Sequence, residues 1–164
     1  MNFRFEFAPK DQIDSILPTL FDILYENMHE IAPTGKSRDI DYKEWFNEVS
    51  PAMQKDPRQI VLMFDGDCIA GYFQYYTTTD KLMMEEIQLM KEYHSSGLFN
   101  EFYRWLVLQL PQDLQTVESY SHKDNVKSQK ILEHLGLKQL EFNNNYAAYH
   151  YKGRYEVILN KYKK

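Results

Sequence analysis

The order of patterns along the chain predicts an α/β (α+β) domain built on a mixed, mostly antiparallel sheet of six to seven strands with helices on both faces. Three observations lead there. The first residues alternate apolar and charged; the following stretch places apolar residues at helical spacing; and from Ile60 onward short apolar runs, divided by tight turns, give way to amphipathic segments. At 164 residues the chain suffices for one sizeable core, and the absence of repeats, low-complexity tracts or linker-like composition makes 1–164 a single domain.

Phe3, Phe5 and Phe7 alternate with Arg4 and Glu6, the pattern of a half-buried strand over Asn2–Phe7. Ile13, Ile16, Leu17, Leu20, Leu24, Met28 and Ile31 recur as one face of a helix, with Asp11 as its expected cap. Pro18 implies a kink, or a true start near Leu17, and Ala32-Pro33-Thr34-Gly35 ends the segment. A second amphipathic stretch, Tyr42 to Met53, is interrupted by Pro51. Ile60 to Phe64 is an apolar strand, and Asp65-Gly66-Asp67 turns it into a strand over Cys68 to Thr78. Thr79-Asp80-Lys81 turns it again into Leu82–Met90. A helix over about Gly97 to Leu110 buries Phe99, Phe102, Leu106 and Leu110 and stops at Pro111. Thr116 to Ser121 is a fifth strand. Asn125 to Leu135 is a helix capped by Asp124 or Asn125 and ended by Gly136. Lys138 to Tyr162 is expected to form two strands around a Lys152-Gly153 turn, with Asn143-Asn144-Asn145 as a loop.

Apolar residues make up 43% and aromatics 15%, which excludes a disordered chain. A formal net charge of -5 argues against a nucleic-acid partner, and the basic tail Lys161-Tyr162-Lys163-Lys164 reads as a solvated end. One cysteine, Cys68, excludes an internal disulfide and a multi-Cys zinc site, so no metal is expected. No run approaches the ~20 apolar residues of a membrane span. The stretch MNFRFEFAPKDQ lacks a signal-peptide core, so no membrane partner and a cytoplasmic location are expected.

One loop stands out. His94-Ser95-Ser96-Gly97 joins an apolar strand directly to an amphipathic helix. A helix N-terminus presents unpaired N–H groups and the positive end of the helix dipole, and small residues let a phosphate approach them. The element order, together with LMMEEIQLMKEYHSSGLFNEF and DNVKSQKILEHLGL, resembles the GNAT superfamily of acyl-CoA-dependent N-acyltransferases over nearly the whole chain. The family's Gln/Arg-x-x-Gly-x-Gly/Ala loop, whose amides hold the coenzyme A pyrophosphate, matches His94, Ser95, Ser96, Gly97, Leu98 and Phe99, followed by Asn100. A second family motif, Asn, a small residue and Tyr, matches Asn125, Ser128 and Leu132 ahead of Gly136-Leu137. The departures are His94 for Gln or Arg, Phe99 for a small residue, and Leu132 for the tyrosine that commonly protonates the leaving thiolate.

The resemblance implies a split between the fourth and fifth strands that receives acetyl-CoA (acyl-CoA) as co-substrate. Backbone groups of Leu89, Met90 and Lys91 would meet the pantetheine, with a thioester carbonyl near Leu89, and Asn125 would reach the pantetheine amide. Glu85, nine residues before His94, matches a water-mediating glutamate of some members. Glu85 and Glu86 are the base candidates, expected on opposite faces of their strand. His122, with Tyr120 behind it, is the acid candidate. The acceptor would be a small-molecule or peptide amine, drawn by Asp39, Asp41 and Glu44 and walled by Trp45, Phe73, Tyr75 and Tyr76. Two functions follow: an N-acyltransferase, expected to be an acetyltransferase, or a catalytically silent acyl-CoA-binding module of the same fold. Exposed final strands that pair would make a homodimer.

Overall fold

The structure is a computed structural model that describes residues 1–55 and 57–163; Lys164 of the basic tail lies outside the described residues. In chain order it contains β1 (Phe3–Phe7), α1 (Ile13–Met28), α2 (Arg38–Met53), β2 (Gln59–Asp65), β3 (Cys68–Thr77), β4 (Lys81–Leu89), α3 (Leu98–Gln109), β5 (Thr116–His122), α4 (Val126–His134), β6 (Lys138–Asn143), β7 (Ala148–Arg154) and α5 (Tyr155–Tyr162). The strands form one sheet in the order β1-β2-β3-β4-β5-β7-β6. β1–β2, β5–β7 and β6–β7 are antiparallel, while β4–β5 is parallel and is connected through α3, the crossover that a parallel pair requires.

Contacts gather the chain into two compact units, Met1–Gln74 with Glu86–Leu98, and Tyr75–Glu85 with Phe99–Lys164. The core of the first is Ile13, Leu17, Leu20 and Ile23 of α1, Met53 of α2, Ile60 and Leu62 of β2 and Tyr72 of β3. Burial of that α1 stripe carries the helix through Pro18, which removes one intrahelical bond without ending the helix. The helix starts at Ile13 rather than near Leu17; its N-cap is Gln12, and the expected cap Asp11 lies in the preceding 3-10 turn. Ser37 accepts the Ile40 N–H and starts α2 four residues before Tyr42; α2 then continues past Pro51 to Met53. The β2–β3 hairpin turns at Gly66, whose φ of +59° suits glycine.

In the second unit the parallel register runs from Lys81↔Thr116 to Met84↔Ser119. Its last rung carries Ser119 Oγ donating to the Met84 carbonyl at 2.9 Å, and β4 continues to Leu89 beyond it. The C-terminal stretch departs from the sequence expectation. β6 and β7 meet around Asn144–Ala147, and no turn occurs at Lys152-Gly153, which lies inside β7. Gly153 serves close approach instead: a Cβ there would stand 2.8 Å from the Gly136 carbonyl. The last residues form α5 rather than a strand, because Tyr155, Ile158 and Tyr162 share one helical face and are buried. The basic tail is therefore not a solvated end up to Lys163: Tyr162 stacks on Tyr103 at 5.3 Å, and Lys163 donates to Gln112.

Candidate active site at the end of the fourth strand

β4 ends in a tight 3-10 turn, Lys91–Tyr93, and α3 begins five residues after it. The Met90 N–H donates to the Ala70 carbonyl at 2.8 Å. The Leu89 carbonyl, one residue earlier, meets side chains rather than β3. Gly71 permits the close approach, since a Cβ there would lie 2.5 Å from the Gln88 carbonyl and 2.7 Å from Leu89 Cδ2.

Two side chains converge on the outward carbonyl of Leu89. Asn27, from α1, donates through Nδ2 at 2.7 Å, and the His94 imidazole makes contact through Nε2 at 3.1 Å. Asn27 Nδ2 also donates to Gln88 Oε1 at 3.0 Å, and Gln88 Nε2 donates in turn to Glu86 Oε1 at 2.5 Å. Asn27 to Gln88 to Glu86 is thus a chain of donors that ends on a carboxylate. Gln88 is buried although it sits on a strand, and this chain is what makes its burial tolerable. Tyr72 of β3 is fully buried; burial, followed by the negative charge of Glu86, holds its phenol well above its usual range. Among the described residues, Asn27 Oδ1 and the Tyr72 hydroxyl are buried polar atoms of this unit without a hydrogen-bond partner.

The loop itself is strained and compact. Ser95 takes φ +65° and Gly97 φ +86°, and Ser95 does so without glycine's freedom. The amides of Tyr93, His94 and Ser96 donate to carbonyls within the turn. Ser96 Oγ donates to the Tyr93 carbonyl at 2.6 Å and accepts the Leu98 N–H at 3.3 Å. The helix geometry leaves the N–H groups of Gly97, Phe99 and Asn100 without intrahelical acceptors. Gly97 has open space where a side chain would be.

Several sequence-predicted residues occupy other roles. Met90 uses both backbone groups internally, as its carbonyl accepts the Tyr93 N–H, and the Lys91 carbonyl accepts the His94 N–H. His94 Nε2 is turned onto Leu89, so donation to a phosphate would fall to Nδ1, which carries a proton only in the imidazolium. Phe99 stacks on Tyr103 at 6.0 Å. Asn125 caps α4 by accepting the Ser128 N–H at 3.1 Å, which commits its side-chain carbonyl. Leu132 is buried. His122 Nδ1 accepts the Asp124 N–H at 3.1 Å, leaving the neutral ring's proton on Nε2. Glu85 is half-buried on β4. Of the expected acceptor groups, Trp45 packs on Phe21, Phe73 and Tyr75 are core, Glu44 pairs with Lys36, and Asp41 accepts from Thr34. Asn27, Gln88 and Tyr72 were not singled out by the sequence. The one signal for them was a glutamine at a position that alternation with Met84 and Glu86 puts in line with β4's buried side.

No family model matches the sequence, and no curated protein matches it. Solved structures do. The chain is similar to an acetyltransferase from Thermus thermophilus, at 11% identity and a TM-score of 0.71, covering 94% of this chain and 97% of that one. It is similar to the PaiA N-acetyltransferase from Thermoplasma acidophilum in complex with coenzyme A, at 10% identity and 0.72, covering 94% and 100%. A mutant of the spermidine N-acetyltransferase SpeG from Vibrio cholerae gives 12% identity and 0.62, with 97% of each chain covered. The seven-stranded order, its parallel β4–β5 pair and these likenesses define one class of fold. It is the GNAT acetyltransferase fold. Among the described residues, no cluster of ligating side chains fit for a metal occurs, and no helix is long and apolar enough to cross a membrane.

Proposed function

We propose that the protein is an N-acetyltransferase that moves an acetyl group from acetyl-CoA to a primary amine by direct transfer. The observation that carries the reading is the end of β4, where the Leu89 carbonyl is met by Asn27 and His94, with its N–H proposed to face outward, just ahead of a left-handed loop and a helix start. That N–H is suited to a developing oxyanion. The amides of Gly97, Phe99 and Asn100, with the small Ser95 and Ser96, suit the diphosphate of coenzyme A, for which a helix N-terminus is an apt partner. Asn125 and Ser128, at the start of α4, are the residues the resemblance brings to the pantetheine.

In the reaction the neutral amine nitrogen attacks the thioester carbon. The carbonyl electrons move to oxygen and return as the C–S bond breaks, and the thiolate leaves. The amine's proton goes to a carboxylate, Glu85 or Glu86, directly or through water, and the thiolate is protonated by His122 Nε2–H or by solvent. Burial of Leu132, where the resemblance has a tyrosine, favours a second reading, an acyl-CoA-binding module without turnover.

Thiol release from acetyl-CoA, measured against a panel of primary amines, separates the two. Amine-dependent release is expected, and Glu85→Gln or Glu86→Gln should lower it by roughly 10²-fold or more. No release above hydrolysis, together with a rise in Tm on adding coenzyme A, would establish the silent module. Coenzyme A at a hundred times its Kd stabilises by about 2.7 kcal/mol, so an unmoved Tm would remove both readings.

A further inference from the structure

Asn27 carries two N–H donors and one carbonyl oxygen at its amide tip, and the two donors are filled in a way that fixes where the oxygen lies. Both of its N–H groups face acceptors, the Leu89 carbonyl at 2.7 Å and Gln88 Oε1 at 3.0 Å. Turning the carboxamide over would set its oxygen against those same two oxygens, so the surroundings fix Oδ1 on the remaining side. That oxygen is buried and has no partner among the described residues. A buried acceptor left empty is costly, and Oδ1 can be satisfied only by a donor.

We infer that Asn27 Oδ1 is the acceptor-amine contact of the site, receiving an N–H of the primary amine that is to be acylated. The inference rests on the acetyltransferase reading and deepens it. Three features favour an amine over other donors. The donor chain from Asn27 through Gln88 ends on Glu86, so each link polarises the next and makes Oδ1 a stronger acceptor. The carboxylate at the end of the chain favours a group able to carry positive charge. And Asn27 is fastened to the carbonyl of Leu89, the residue whose N–H faces the thioester in the proposed reaction, so a nitrogen bonded to Oδ1 is held at the same strand end as the reacting group. An N–H given to Oδ1 orients the amine while leaving its lone pair for attack.

The test uses the full chain with saturating coenzyme A, and measures binding of ethanolamine, putrescine, L-lysine and an alanine dipeptide by calorimetry. KM for amine and for acetyl-CoA are measured in parallel by thiol release. Asn27→Ala should weaken the bound amine at least about tenfold, with KM for acetyl-CoA unchanged. Asn27→Asp keeps an acceptor oxygen but cannot donate to Leu89 or Gln88. It should therefore share the loss of Tm of Asn27→Ala while retaining amine affinity within about threefold of the wild type. Equal amine binding in wild type and Asn27→Ala would overturn the inference, and Oδ1 would then be the seat of an ordered water. A rise in KM for acetyl-CoA alone would overturn it in favour of a pantetheine amide. These results leave coenzyme A binding and thiol release intact, whereas failure of the acetyltransferase reading removes thiol release itself.

Discussion

Two polar networks, one in each compact unit, face the same physical problem and solve it differently. In the second unit His150 lies between Glu118, 2.7 Å from Nε2, and Glu141, 2.9 Å from Nδ1, while Lys81 stands 3.3 Å from Glu118. Burial works to raise the Glu118 carboxyl, but the hydrogen bonds from His150 and Lys81 and the Lys81 charge outweigh it and hold it below the usual range. Its own amide, then His150, holds Glu141 low as well. Both ring nitrogens of His150 have partners, and both carboxylates are held by donors. In the first unit Asn27, Gln88 and Glu86 make an equally continuous chain, yet it ends on an empty acceptor. A network with both ends filled needs nothing further to be stable; one with an orphaned buried oxygen costs stability until a donor arrives. On the inference drawn above, the first is a place for a ligand and the second is part of the scaffold.

The sharpest way to break this contrast is to remove the backbone approach on which the open network stands. At Gly71→Val a Cβ 2.5 Å from the Gln88 carbonyl cannot be accommodated without moving β3 from β4. The variant is expected to lose about 3 kcal/mol and roughly 10 °C in Tm, together with coenzyme A binding. A Gly71→Val protein with wild-type Tm and thiol release would show that the carbonyl of Gln88 and the edge of Leu89 are not held as described.

Deleting the middle of each network compares them directly. Gln88→Leu leaves Asn27 with an unfilled donor and removes a donor from Glu86, and should cost about 2 kcal/mol and raise KM for the amine several-fold. His150→Phe leaves Glu118 with Lys81 and Glu141 with its own amide, and should cost about 1–2 kcal/mol with KM unchanged. Urea unfolding and steady-state thiol release read the two effects. Equal changes in KM would erase the distinction between an open and a closed network.

What the sequence disclosed follows the same division. Regular patterns were legible: the alternation of β1, the α1 stripe, the Gly66 turn, the strand-to-helix loop with its glycine at Gly97, and the order of elements that resembles the acetyltransferase fold. Interactions between segments distant in the chain were not. Asn27 is a lone polar residue in line with the buried Leu20 and Ile23 of α1, and nothing local shows what it meets until Leu89, sixty-two residues later, is laid beside it. Gly153 reads as a turn because a close approach to Gly136 leaves no local trace, and that misreading concealed the helical spacing of Tyr155, Ile158 and Tyr162. Asn125 matched a motif position and also a helix cap; the cap is the role that the structure fills with a bond.

Acid should discriminate between the networks as well. Glu118 and Glu141 have folded-state pKa values below their ordinary value of about 4.3. Their contribution is therefore present in full above that pH and is lost as pH falls through the lower folded values. The gap in Tm between wild type and His150→Phe should accordingly shrink as pH falls below about 4. A gap that persists unchanged at the lowest pH where the protein folds would mean that the His150 contacts with Glu118 and Glu141 are not what stabilises that region.

The smallest expected effect is also a matter of sign. Tyr72 in the first unit and Tyr155 in the second each bury a hydroxyl with no partner among the described residues, and burial raises both phenols, Tyr155 to about 12. Replacing either by phenylalanine removes a desolvated polar group without opening a cavity, and should leave stability unchanged or raise it by up to about 1 kcal/mol. The two should part in function. Tyr155 belongs to the unit with the filled network, so Tyr155→Phe should leave amine kinetics untouched. Tyr72 lies in the field of Glu86, so Tyr72→Phe should lower amine affinity by about threefold or less, a weaker effect than loss of Asn27 because the hydroxyl is not a link in the donor chain. A destabilised Tyr72→Phe protein would instead reveal a partner for that hydroxyl, and the open network would have to be redrawn to include it.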